Sequence, residues 1–226
     1  MIRNESLEDI SDGHRYGLND MVRADSGGCK GCSACCETMT DTIILSPLDV
    51  FRISLCTGKS FEELLNGFVE LNMHDGVILP NIASGGCGCI FLSEEKRCTI
   101  HDSRPDFCRL FPLGRLYENG SYSYILQVGQ CRAKCSKIKV KKWIDTQDYE
   151  RHREYVLLWH DIIRKTGELV AGSENENCRK QLSMRLLNDF YITGFAGEPD
   201  FYDSFRNRAE AFIEFSDRLR EEENGI

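Results

Sequence analysis

Four cysteines fall within eight residues, Cys29-Lys-Gly-Cys32-Ser-Ala-Cys35-Cys36, and Cys87, Cys89, Cys98, Cys108, Cys131 and Cys135 follow them. Ten of the twelve cysteines therefore sit in one turn-rich stretch, where a protein needing only small apolar fillers would scatter them. Thiolates bind soft and borderline metals, and ligands that meet at one ion must come from loops able to curl round it. Gly27, Gly28 and Gly31 give that freedom to the first group, as Gly85, Gly86 and Gly88 do around Cys87 and Cys89. The chemistry these residues point to is a metal or iron–sulfur centre.

The spacing Cys29-x2-Cys32-x2-Cys35 matches the first three ligands of bacterial ferredoxin loops, with the fourth to come from Cys36, Cys89, Cys98, Cys108 or Cys131. Structural zinc sites draw their ligands in tight pairs. Here the later cysteines come singly, with eight residues between Cys89 and Cys98 and nine between Cys98 and Cys108. Single delivery favours an iron–sulfur cluster over zinc. Lys30, Arg97, Arg104, Arg109, Arg132 and Lys134 flank the cysteines, and cations there would offset a multi-thiolate centre. The region has more thiols than one four-coordinate site needs, so a second metal stays open, as do Cys87 and Cys135 as ligands. Cys56 reads as a buried filler on an apolar helix face, and Cys178 lies far from the cluster in sequence. For His101 and Asp102 a hydrogen-bonded structural role is preferred to ligation. No pair among His14, His74, His152 and His160 has a metal-motif spacing.

The elements that would position these residues separate into three spans: an N-terminal arm over 1–26, a cysteine-cluster metal domain over 27–136 and a helical subdomain over 137–226. Thr42-Ile-Ile-Leu45 is a short strand candidate. Ser46-Pro47-Leu48-Asp49 has a Ser cap, a Pro in the first turn and an acid at the third position, predicting a helix that stops at Gly58. Ser60-Phe-Glu-Glu63 repeats the signature and predicts a second helix carrying Leu64, Leu65, Phe68 and Leu71. Asn119-Gly120 between strand-forming runs predicts a hairpin. Three helical stripes follow: Tyr155 to Ile163, Leu182 to Tyr191 after a polar break at Gly172, and Phe201 to Phe215 entered through Pro199. The expected fold is mainly α, with a small loop-rich, hairpin-containing metal domain and a C-terminal helical subdomain.

Totals narrow the function. A chain of 226 residues can bury an ordinary core without staples. A net charge of -8 argues against bulk nucleic-acid binding. No apolar run approaches the ~20 residues that span a bilayer, and the polar, acidic N-terminus is not a secretory signal. A cytoplasmic location is expected, and in a reducing compartment clustered cysteines hold metal more often than disulfides. Adjacent Cys35 and Cys36 are also poorly placed to bridge each other. The basic run Lys134, Lys137, Lys139, Lys141 and Lys142 reads as a solvated face, with contact to an acidic partner or a phosphate as the lesser alternative.

Several motifs occur in order: Cys29-x2-Cys32-x2-Cys35-Cys36, Ser46-Pro-Leu-Asp49-Val-x-Arg52, Cys89-Ile-Phe-Leu92, Cys98-Thr-Ile-His101 and Arg104-Pro105-x2-Cys108-Arg109-x2-Pro112. Together they resemble the CxxCxxCC cysteine-cluster family, whose members are described as zinc- or iron-chelating proteins. The resemblance runs from about Gly28 to Cys131. It implies a ligand set drawn from Cys29, Cys32, Cys35, Cys36, Cys89, Cys98, Cys108 and Cys131. His101 departs from it, standing where Tyr is common. The family is similar in turn to the cysteine-rich part of flagellin lysine N-methylases, which implies an S-adenosylmethionine-linked activity on protein lysines as the alternative function. The chain itself carries no Gly-rich strand–turn–helix of the usual methyltransferase kind. The expected role is therefore metal binding, in a structural, metal-handling or electron-transfer capacity.

Overall fold

Residues 7–27, 32–38, 43–86, 88–129, 131 and 135–224 are described by the computed structural model. The chain divides into two units, one built from Met1–Ile43 and Ile82–Gln147, the other from Ile44–Asn81 and Asp148–Ile226. The first unit opens with α1 (Leu7–Ile10), β1 (Met21–Asp25) and α2 (Ala34–Thr38). The chain then supplies the second unit with α3 (Pro47–Thr57), α4 (Phe61–Leu64), β2 (Val69–His74) and β3 (Val77–Ile82). It returns to the first with β4 (Ser84–Gly85), β5 (Gly88–Cys89), α5 (Asp106–Leu110), β6 (Leu113–Glu118), β7 (Ser121–Leu126), β8 (Ser136–Lys139) and α6 (Val140–Ile144). It ends in the second with α7 (Tyr149–Gly172), α8 (Glu176–Leu187) and α9 (Phe201–Asn224). With about 49% helix and only two-stranded sheets among the described residues, the protein is mainly α with small hairpins. No helix among the described residues is long and apolar enough to cross a membrane.

Turn chemistry fixes the hairpins. Asn119 and Gly120 both have positive φ, at 51° and 70°, which is the twist that joins β6 to β7 in tight register from Leu113↔Leu126 to Glu118↔Ser121. Asp75 and Gly76, at φ 49° and 83°, do the same for β2 and β3. The second helix expected through Leu71 is corrected by this hairpin. It ends after one turn at Leu64, Gly67 takes φ +100°, and Leu71 lies on a strand. Positive φ is open to glycine but strained for other residues, so the helical pattern stops there whatever the periodicity. The N-terminal segment is bonded into the first unit: β1 pairs antiparallel with β8, and Tyr16 and Tyr124 exchange both backbone hydrogen bonds at 2.8 and 3.0 Å.

In the second unit α3 starts as its sequence predicts. Ser46 accepts from the Asp49 backbone N–H while Asp49 accepts from the Ser46 backbone N–H, and Gly58 closes the helix in the left-handed conformation. The long helices pack through aromatic rings, with Tyr155 against Phe205 at 4.6 Å and Trp159 against Phe190 at 5.2 Å, both edge to face. Tyr191 is 1% exposed and its hydroxyl donates to the Leu45 carbonyl at 2.9 Å. Burial, together with the nearby Tyr155 and Asp49, holds its phenol well above the usual tyrosine range. Tyr191→Phe is expected to cost about 1–2 kcal/mol by leaving that carbonyl unsatisfied. Because the folded phenol resists ionisation, its contribution is complete below about pH 10 and lost as pH rises beyond it. Chemical denaturation should therefore show the penalty of Tyr191→Phe at pH 7 and its shrinkage above pH 10.

Candidate metal centre

Short elements of the first unit carry the cysteines. Cys35 and Cys36 lie on α2, just after Cys32. Ser33 immediately precedes the helix; its carbonyl accepts from the Glu37 N–H at 2.9 Å and its hydroxyl donates to the Glu37 carboxylate at 2.7 Å. Cys89 ends β5, which pairs with β4 through Ser84↔Cys89. The chain then folds back on itself. Ser93 N–H donates to the Arg97 carbonyl at 2.8 Å, Thr99 N–H to the Phe91 carbonyl at 2.8 Å, and a bridge joins Leu92 to Cys98. Cys108 lies on α5, whose last carbonyl, from Leu110, accepts the Trp143 indole N–H at 3.1 Å. Arg109 donates to the Asp102 carbonyl at 2.7 Å, tying α5 to the turn before it.

These pieces enclose a cavity of about 240 Å³, lined by Cys32, Cys35, Cys36, Cys89, Cys98 and Cys108. The rest of its wall is apolar, from residues such as Ile43, Phe91 and Phe107, or cationic, from Lys96, Arg97 and Arg104. No carboxylate is among the described residues that line it. Two features hold the walls together. Lys96 pairs with Glu37 at 3.0 Å, pinning the Ser93–Arg97 turn to α2. Gly88, at φ +121°, passes so close to α2 that a Cβ there would stand 2.6 Å from the Cys36 carbonyl oxygen and 2.7 Å from Glu37 Cα. Only glycine permits that approach.

The thiols sense one another. The hydrogen bond from the Cys36 thiol draws Cys35 down to about 6, against the effect of burial. Cys36 is pushed up by giving that hydrogen, by burial and by the charges of Cys35, Cys108 and Cys89. Burial pushes Cys89 up as well, and Cys98 and Cys35 add to it against a backbone hydrogen bond from Phe91. One thiolate thus discourages the rest, and several can ionise together only if a cation joins them. His101 stands at the rim, its pKa lowered by burial and by Arg104, whose Nη1 lies 3.1 Å from each ring nitrogen.

Among the described residues, no three Cys, His, Asp or Glu side chains already close on one point. The six thiols ring a space instead. The donor set and the glycine cradle both fit a soft metal or a sulfur-bridged cluster: six thiols and the His101 ring, with Lys96, Arg97 and Arg104 on the same wall and no carboxylate among the described lining residues. Of the cysteines singled out from sequence, six line this cavity. Cys29 and Cys87 lie outside the described residues. Cys131 is not among the lining residues, and its sulfur stands 3.8 Å from that of Cys135. Cys178 is buried beside Val170 and Leu182. Cys56 corrects the expectation of a buried filler, since it is exposed on α3, whose inward face is made by Leu48, Val50 and Ile53. The Lys96–Glu37 clip and the Trp143 anchor were not anticipated, because neither pair has a local sequence signal. Lys137, Lys139, Lys141 and Lys142 are exposed, as a solvated face requires.

No solved structure matches the chain. Residues 28–135 match the family CxxCxxCC, described as a "putative zinc- or iron-chelating domain". Every residue lining the sulfur-walled cavity falls within that span, so the cavity lies wholly in the part of the chain that is similar to the CxxCxxCC family.

Proposed function

We propose that the cavity holds an iron–sulfur cluster, with zinc as the competing occupant, in a structural, metal-handling or electron-transfer role within a reducing, cytoplasmic setting. The ligands are drawn from Cys29, Cys32, Cys35, Cys36, Cys89, Cys98, Cys108 and Cys131. The observation that carries the reading is the meeting of six cysteines, from well-separated parts of the sequence, on one cavity with no carboxylate among its described lining residues. Two further features favour iron–sulfur over zinc. The later cysteines arrive singly, and Lys96, Arg97 and Arg104 line the same wall, where they can offset the negative charge of a multi-thiolate cluster and donate hydrogen bonds to sulfur. Such a cluster would supply electron storage or a rigid cross-link between loops.

Anaerobically purified protein is expected to be brown, with broad absorbance toward the blue end of the visible range and a paramagnetic resonance signal in one oxidation state. Metal analysis should find iron and acid-labile sulfide together. Colourless protein with stoichiometric zinc would overturn the preference for iron while keeping the cavity as the site. Protein with neither metal, after expression in iron- and zinc-replete medium, would overturn both.

A further inference from the structure

The ribbon of β1 and β8 turns one face inward and the other to solvent. Val22 and Ala24 are buried at 1% and 0% exposure, while Met21, Arg23, Lys137 and Lys139 are exposed on the opposite face. The register sets Arg23 directly across from Lys137, and Met21 across from Lys139. Like charges facing each other across a ladder destabilise it. Lys141 and Lys142 carry the charge onward, exposed on α6, which is tied to the ribbon where the Val140 N–H donates to the Asp20 carbonyl at 3.0 Å. Among the described residues no carboxylate pairs with any of these five cations. The acids at the ends of β1 serve turns instead: Asp20 accepts from the Gly17 N–H at 2.7 Å, and Asp25 from the Gly27 N–H at 2.8 Å. A chain of net charge -8 therefore presents a local patch of uncompensated positive charge. A merely solvated face has no use for cations in register, whereas a face that receives a partner's carboxylates is relieved of their repulsion on binding. The β8 and α6 lysines also lie beyond residues 28–135, outside the part matched to the metal-chelating domain.

We propose that the outer face of the β1–β8 ribbon docks an extended acidic segment of a partner protein, with carboxylates at alternate positions. Residues two apart on a strand share a face and stand ~7 Å from each other. Lys137 and Lys139 have that spacing, and so do alternate Asp or Glu side chains on an extended segment laid over them. Met21 adds an apolar contact at one end of the patch. Nucleic acid fits less well, because its long phosphate array would run off the patch onto an acidic surface.

Fluorescence anisotropy on the whole metal-loaded chain tests this with a labelled peptide of alternating Glu and Thr. The peptide is expected to bind saturably at low salt and more weakly as salt is raised. Lys137→Glu and Arg23→Glu should each weaken binding by ~10-fold or more, whereas Lys180→Glu, an equal or similar change of charge on α8, should leave it within about twofold. Metal per chain should match the parent in all three variants, which separates loss of docking from loss of the metal centre. A peptide of the same composition with its Glu residues in one block should bind more weakly. Absence of saturable binding, equal loss in Lys180→Glu, equal binding of the block peptide, or tighter binding of a single-stranded oligonucleotide of the same charge would each overturn the proposal.

Discussion

Alanine at Gly88 is expected to strip the protein of its metal. The added Cβ would be driven to 2.6 Å from the Cys36 carbonyl oxygen and 2.7 Å from Glu37 Cα, both backbone atoms that cannot swing aside. The residue would also be held at φ +121°, a conformation costly for any side chain. Either α2 or β5 must retreat, taking Cys35 and Cys36 away from Cys89. Steric overlap and backbone strain together should cost about 2–4 kcal/mol of stability. The effect on metal content should be larger, since ligands must converge to within a fraction of an ångström. Gly86→Ala is the control: a Cβ there meets nothing within 4 Å, so it should bind metal like the parent. Metal per chain measured on both proteins decides the matter. Full occupancy in Gly88→Ala would mean that α2 and β5 need not touch for the centre to form.

Removing the metal should unfasten the cysteine loops while the long helices stay folded. Among the described residues between Ser84 and Leu110 the regular elements are two strands of two residues, a three-residue 3-10 turn and a five-residue helix. None is long enough to be stable alone, and isolated short helices are marginal in water. Buried apolar side chains in this stretch are few, chiefly Phe91, Ile100 and Leu110. What fastens such loops in small metal domains is the ligand bonds, and binding is then coupled to folding. Hydrogen exchange on protein stripped by iron- and zinc-selective chelators should show amide protection across 84–110 falling by ~100-fold or more. Amides of α7 and α9 should hold theirs, because their rings pack on one another within the second unit. Cys36→Ser should reproduce the loss without chelator. Unchanged protection across 84–110 in stripped protein would show the loops to be self-supporting.

Chemistry was more legible than connectivity. The thiol-dense spacing from Cys29 to Cys36 announced a metal domain, and six of the eight proposed ligands line one cavity. Capping boxes marked α3 and α4 because their signals are local, a side chain bonding a backbone three residues away. Asn119-Gly120 marked its hairpin for the same reason. The Asp75-Gly76 turn has an equal signal, but the apolar residues through Leu71 are also spaced to suit a helix, and it is Gly67 at φ +100° that breaks that pattern. That Ile44–Asn81 groups with the C-terminal helices rests on contacts such as that of Tyr191 with Leu45, 146 residues apart. No local pattern encodes such a partnership. The Cys131–Cys135 contact likewise needed coordinates, since a three-residue gap alone does not say whether two sulfurs face each other.

The interleaving of the two units has a consequence for biosynthesis. Cys36 leaves the ribosome 72 residues ahead of Cys108, because Ile44–Asn81 is threaded between them and belongs elsewhere. At translation rates of 5–20 residues per second that delay is roughly 4–14 s. During it the leading thiols are on a nascent chain without their later partners, open to stray copper, zinc or oxidants. Loading that draws on Cys108 thus lags the synthesis of the first thiols, and over that interval the early sulfurs depend on a low supply of rival ions or on an escort that shields them.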